Sequence, residues 1–250
     1  MSVPATPASP GEPELIDLPA RDDLREGVEA AADFARAVNS LPTEAERWAV
    51  GVGLVLENVD SCDGAGVMVV SPGAVETVAP TSDLVTKGDL LQYELSEGPC
   101  LDSVLNQTTV ISNAVAGDRR WPLWGPAASQ RLGIGSMLSL LLYSDEGTYG
   151  ALNLYSTQEH AYGTEEIVVA HALATHLALA ISTGRELEHR ATAMVNRTVI
   201  GQAEGILMER YKVTPEVAFQ MLRQASQVTN RRLVALAEEL VRTGVLRTKP

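Results

Sequence analysis

From Leu24 to Asp60 apolar residues recur at helical spacing: Leu24, Val28, Ala31, Ala35 and Val38, then, past Leu41-Pro42, Trp48, Val52, Val55 and Val59. Two helices are predicted, the second opened by Thr43. The pattern then changes. GAGVMVV (64–70) and AVETVAP (74–80) are short β-rich runs around Ser71-Pro72-Gly73, which predicts a hairpin. SMLSLLLYS (136–144) and YGALNLYS (149–156) flank Asp145-Glu146-Gly147-Thr148 and predict a second. Between the hairpins, 82–94 reads as a short helix, 109–113 as a strand and 126–132 as a helix. Helices first, strands in the middle and a long helix at the end predict an α+β domain with an antiparallel sheet.

That closing helix starts at Thr164 and runs on without a proline. Ala170, Leu173, Leu177, Ala180, Gly184, Leu187, Ala191 and Met194 alternate steps of three and four, an a/d heptad seam. Residues up to about 180 are expected to pack on their own domain. Beyond Gly184 a two-stranded coiled coil is expected, hence a homodimer through the long helix, with Ala180, Gly184 and Ala191 making the seam weak. The stripe shifts to Val195, Val199, Ala203 and Ile206, and Tyr211-Lys212-Val213 breaks the helix. Thr214-Pro215-Glu216 restarts it with a cap, a first-turn proline and an acid at the positive end. This second helix is expected to bury Val217, Ala218, Met221, Leu222 and Ala225. A third carries Leu233, Leu236, Ala237, Leu240 and Val241 before Gly244. Residues 1–22 show no apolar periodicity, carry five prolines and read as a disordered tail.

Charge divides the chain. The 250 residues hold 19 Lys+Arg against 32 Asp+Glu, a net −13. Residues 190–250 nevertheless hold ten Lys/Arg against five acids, a net +5 that leaves −18 on the remainder. A basic helical module on an acidic body suits a polyanionic partner for one part only. The placement of Asn230-Arg231-Arg232 at the start of the third helix sharpens this. Cations there oppose the helix dipole at a cost of about 0.3–1 kcal/mol each. With free N–H groups beside them they form an anion-binding corner suited to phosphate.

This C-terminal stretch resembles an ANTAR domain, the RNA-binding antitermination module of bacterial regulators. The resemblance is carried by Ile200-Gly201-Gln202-Ala203-Glu204-Gly205-Ile206-Leu207-Met208-Glu209-Arg210, Ala218-Phe219 with Met221-Leu222-Arg223, Ser226, and Asn230-Arg231-Arg232-Leu233 with Ala237. Glu204 stands where the family often has Lys. The resemblance implies binding of paired short RNA hairpins by two copies of the module, which keeps a terminator from forming. The residues expected to meet RNA are Arg197, Arg210, Arg223, Ser226, Asn230, Arg231 and Arg232. Phe219 and Tyr211 are candidates to stack on loop bases, against a core role for a helix-borne Phe.

Residues 44–183 resemble a GAF domain of the kind found in actinobacterial regulators. The carriers are Gly98-Pro99-Cys100 after Glu97, Arg120-Trp121-Pro122 after Asp118, Ser136-Met137-Leu138-Ser139, and Gly150-Ala151-Leu152-Asn153-Leu154-Tyr155-Ser156. The resemblance implies a six-stranded antiparallel sheet with a small-molecule cleft on one face. The cofactor, if any, is unspecified; Cys100, Trp121, Asn153 and Tyr155 are the candidate cleft residues. Cys100 reads either as a sensing thiol or as a small buried hydrophobe. Two cysteines, Cys62 and Cys100, support neither a disulfide framework nor a zinc site. His171 and His176 lie five apart on the long helix, a poor spacing for one metal, so no metal ligands are assigned.

The chain lacks G-x-S-x-G, a Walker loop and H-E-x-x-H, so it reads as a regulator and not an enzyme. No apolar run approaches the roughly 20 residues of a membrane span, and the N-terminus does not read as a signal peptide. A cytoplasmic protein without a membrane partner is expected. The expected organisation is a tail at 1–22, a GAF-like sensor at 24–183, a coiled-coil linker at 184–194 and an RNA-binding three-helix domain at 195–250. Its expected partners are RNA hairpins, a second copy and a small-molecule effector. A DNA-binding regulator is the alternative; against it, the arginines gather at a helix start and not along a recognition face.

Overall fold

The computed structural model describes residues 32–71, 74–144 and 147–247. The expected tail at 1–22 and the start of the first helix lie outside them. Helix α1 covers 32–39 and α2 Glu44–Asn58. The hairpin β1 (Gly64–Ser71) and β2 (Ala74–Val78) follows, then α3 (Asp83–Leu95), α4 (Pro99–Asn106), β3 (Val110–Ser112), a 3₁₀ turn at Val115–Gly117 and α5 (Trp124–Leu132). The second hairpin is β4 (Ser136–Ser144) and β5 (Gly147–Ser156), and α6 (Thr164–Tyr211), α7 (Pro215–Thr229) and α8 (Leu233–Thr243) complete the chain. The chain divides into two compact units, one holding residues 45–178 and the other Leu179 onward with Pro42–Glu44.

The described strands form one antiparallel sheet of five in the order β2-β1-β5-β4-β3, so the expectation of six is corrected. The chain between β2 and β3 is spent on α3 and α4 instead of a strand. Helix α4 was not foreseen: Gly98 ahead of Pro99 at its first position is the readable start, but eight residues are too few for periodicity to show.

Register settles which face each strand residue takes. Met137 pairs with Tyr155, Ser139 with Asn153 and Met68 with Ala151, and Met68, Met137, Ala151 and Tyr155 pack with Val85, Leu91, Cys100, Trp121, Trp124 and Ala128 of the α3–α5 layer. Their neighbours Val67, Leu138, Leu140, Leu152 and Leu154 point the other way and are equally buried. The sheet is therefore covered on both faces.

The first part of α6 buries Ala170, Leu173, Ala174, Leu177 and Ala178, and Leu177 packs onto Gly51 of α2. An 18-residue window of α6 reaches a mean hydropathy of 1.6, enough for a span by length and composition, although 44% of it is buried. The sequence reading missed it because His171, Thr175 and His176 interrupt the apolar run. In the second unit Ala203, Leu207, Ala218, Leu222, Ala237 and Leu240 close a three-helix core. Val195, Val217 and Val241, expected inside, are exposed. Val217 and Val241 each stand one position, about 100° of helix, from the buried Ala218 and Leu240.

Candidate functional site

The interior of the sheet domain is polar where α3 and α4 meet β5. Asp89 of α3 is buried. Its Oδ1 accepts the Tyr155 hydroxyl at 2.5 Å and Asn153 Nδ2 at 2.9 Å, and its Oδ2 accepts the Thr77 hydroxyl at 2.8 Å. Gln92, one turn on, donates to the Tyr155 oxygen at 2.8 Å and accepts the Cys100 N–H at 2.9 Å. Asn153 also donates to Cys100 Sγ at 3.0 Å and accepts the Ser139 hydroxyl at 2.8 Å. A glycine at 98 permits this arrangement, since a Cβ there would lie 2.2 Å from Gln92 Oε1, at a φ of +142°.

Burial raises the pKa of Asp89 from its ordinary value, against the lowering effect of the Tyr155, Thr77 and Asn153 hydrogen bonds, whose donors are all neutral. A carboxyl whose folded pKa is raised stabilises the fold below its unfolded value and loses that contribution as pH rises through the folded value. Asp89→Asn is therefore expected to melt higher than the wild type at pH 8, by about 2–4 °C per kcal/mol recovered, with the gap closing towards pH 4. The amide can place Nδ2 on the Thr77 oxygen and keep its carbonyl towards Tyr155 and Asn153. Calorimetry across pH checks this; a variant less stable than the wild type at pH 8 contradicts it.

Both thiols are buried. Burial pushes Cys62 up to about 11 and Cys100 well above its ordinary value, so neither is a thiolate at neutral pH. Cys100 Sγ rests 3.1 Å from Met68 Sδ. Of the four expected cleft residues, Cys100, Asn153 and Tyr155 meet in this one network, fully buried. Trp121 joins the same core through its ring. Its Nε1 donates to Asp102 at 3.0 Å, its ring meets Trp124 edge-on at 5.9 Å, and Arg120 lies over it at 4.2 Å. Glu97 accepts the Leu123 and Trp124 N–H groups, which fixes the start of α5 against the α3–α4 loop.

The five arginines expected to meet RNA fall into two sets. Arg197, Arg223 and Arg232 are exposed, and their guanidinium groups have no hydrogen-bond or ion-pair partner among the described residues. Arg210 and Arg231 are engaged: Arg210 donates to the Gly244 carbonyl at the end of α8, and Arg231 donates to Glu239 at 2.6 Å. Asn230 is the left-handed cap of α7 at φ 50°, and the Ser226 hydroxyl donates to the Arg231 carbonyl at 2.6 Å. Arg232 is the N-cap residue of α8, whose first turn contains no acid. The Asn230 and Arg231 N–H groups are spent on the Ser226 carbonyl, so the expected corner of free N–H groups is reduced to the exposed Arg232 at the start of α8, while Ser226 and Asn230 hold the turn's shape. Phe219 and Tyr211 are exposed on the same unit.

A GAF domain model matches residues 50–182, and an ANTAR domain model matches residues 188–241. The chain belongs to the GAF–ANTAR regulators. No curated protein matches the sequence. Among solved structures, the free methionine-R-sulfoxide reductase of Neisseria meningitidis is similar at 15% identity and TM-score 0.53, over 69% of this chain and 98% of that one. The GAF domain of a phosphoenolpyruvate-protein phosphotransferase from Coxiella burnetii is similar at 15% identity and TM-score 0.51, over 66% and 98%. A GAF sensor protein from Burkholderia vietnamiensis gives 14% and 0.50, over 64% and 96%. These likenesses establish the fold alone. GAF and ANTAR domains are regulatory modules and not catalytic ones, and together they make the protein a sensor-regulated regulator of the antitermination class.

The GAF network contains residues to which the sequence pattern assigns no site role: Thr77, Asp89, Gln92 and Ser139, the last quoted only as a carrier of the resemblance. A signal existed. Val85, Asp89 and Gln92 share the apolar face of α3 at steps of four and three, and a carboxylate on such a face requires buried partners. In the helical unit Glu239 and Arg247 likewise carry no site role in the sequence pattern, because their link depends on the chain after α8 turning back.

Proposed function

We propose that this GAF–ANTAR protein acts in the cytoplasm as a dimer that binds paired RNA hairpins and prevents a terminator from forming, under the control of its GAF domain. The observation that carries the reading is the ANTAR match over residues 188–241, which spans the unpartnered cations Arg197, Arg223 and Arg232. Loop bases are unstacked and readable while such cations take phosphates. The ordered turn at Ser226, Asn230 and Arg231 sets their positions, and Arg210 supports the end of α8.

Dimerisation is read from the long helix. Of the a/d seam, Ala170 to Gly184 is buried within the chain, Gly184 next to the Arg185–Glu44 ion pair. This narrows the seam expected at Ala180 and Gly184: the part open to a partner begins at Leu187, 58% exposed, and continues through Ala191 to Met194, 72% exposed. A coiled coil there brings two ANTAR modules together, and each raises the effective concentration of the other on a paired target.

The sensor input is a small molecule taken into the GAF core against Cys100, Trp121, Asn153 and Tyr155 once α3 and α4 move from the sheet. The test of the whole reading is binding of the full chain to a tandem stem-loop RNA and to duplex DNA of equal length. Preference for the RNA is expected; equal affinity favours the DNA-binding alternative.

A further inference from the structure

We propose that Arg231, Arg242 and Arg247 form a phosphate-gripping bracket assembled around the Glu239 carboxylate, which extends the RNA interface past the end of the matched ANTAR segment. It rests on the RNA reading above. Glu239 lies on α8 with its side chain only 12% exposed. One carboxylate oxygen accepts Arg231 Nη1 at 2.6 Å, and the other lies 2.9 Å from Arg247 Nε in an ion pair. The two guanidiniums are themselves 41% and 70% exposed. One inward acid therefore holds two outward cations from opposite ends of the same helix, Arg231 before its first turn and Arg247 after its last.

Arg242 stands three residues from Glu239 on α8 and is exposed; the Arg231 hydrogen bond, followed by the charges of Arg231, Arg247 and Arg242, holds Glu239 below its ordinary pKa. The cluster carries three positive charges against one inward negative. The acid on the neighbouring position, Glu238, is exposed and one residue round the helix. Arg231 is bound through a single Nη and Arg247 through Nε, so among the described residues each keeps unspent N–H donors on its fork. Planar forks with spare donors and fixed orientation suit phosphate oxygens. Arg242 and Arg247 fall outside residues 188–241, so the family resemblance does not assign them.

A plain surface ion pair predicts the opposite response to one substitution, which makes Glu239 the discriminating position. Glu239→Gln removes a negative charge and so makes the module more positive. If Glu239 only neutralises arginines, RNA affinity rises; if it positions them, affinity falls despite the added charge. The experiment measures binding of the full chain to a fluorescent tandem stem-loop RNA across a salt series, with thermal melting of each variant.

Arg242→Ala and Arg247→Ala are each expected to lower the log–log salt slope by roughly 0.7–0.9 with melting unchanged. Glu239→Gln is expected to weaken binding, and Arg247→Lys to recover the slope without the full affinity. Unchanged slopes in the alanine variants, a rise in affinity for Glu239→Gln, or loss confined to melting overturns the bracket alone. A wild type that does not bind the RNA overturns the antitermination reading and the bracket with it.

Discussion

Gly150→Ala is expected to unfold the GAF domain, at a cost of about 4 kcal/mol or more. Gly150 sits in β5 between β1 and β4, paired with Val69 and Leu142. A Cβ built there would lie 1.6 Å from the Met68 carbonyl oxygen, which is backbone and cannot turn aside. The residue also holds a φ of +155°, which side-chain-bearing residues rarely adopt. The register shifts at this point, between Leu142 and Tyr143, so the strand has already absorbed one irregularity and the close approach fixes how β1 and β5 meet. Loss of Met68, Asn153 and Tyr155 from their places would dissolve the polar network with them. Near-UV circular dichroism from the buried Trp121 and Trp124 pair reads the result directly. A variant that melts within a few degrees of the wild type contradicts the β1–β5 pairing.

The double substitution Leu187→Glu with Met194→Glu is expected to give a monomer and to cost at least about 100-fold in affinity for a tandem stem-loop RNA. Both residues are exposed on the described chain, so the substitutions disturb no core contact of the protomer, whereas acids facing each other across a coiled-coil seam repel. Affinity for a single stem-loop should stay near that of the wild type, which separates loss of pairing from damage to the ANTAR module. Sedimentation and binding on the same samples decide it. A double variant that sediments as the wild type does removes the long helix from the dimer account.

Much of the fold is legible in the chain because its elements are long or strongly punctuated. The β1–β2 and β4–β5 hairpins follow from alternation around Ser71-Pro72-Gly73 and Asp145-Glu146, and the three helices of the ANTAR module follow from Pro215, Asn230 and Gly244 at their ends. What stayed hidden depends on tertiary pairing. Asp89 could be marked as a carboxylate on an apolar face, but its partners Thr77, Asn153 and Tyr155 come from strands 12 to 66 residues away. Arg231 reads from sequence as a free cation at a helix start, yet Glu239, eight residues on, fixes it through one Nη. Gly184 reads as a seam residue open to a partner, yet the chain itself buries it. In each case local pattern names the residue type and the fold chooses its neighbour.

Competition binding at a single salt concentration tests the central claim most directly. The full chain is presented with a tandem stem-loop RNA, a single stem-loop of the same sequence and duplex DNA of equal length. Tandem RNA is expected to bind most tightly, the single stem-loop at least about 100-fold more weakly, and the DNA no better than the single stem-loop. Equal affinity for tandem RNA and duplex DNA would contradict an RNA-reading antiterminator.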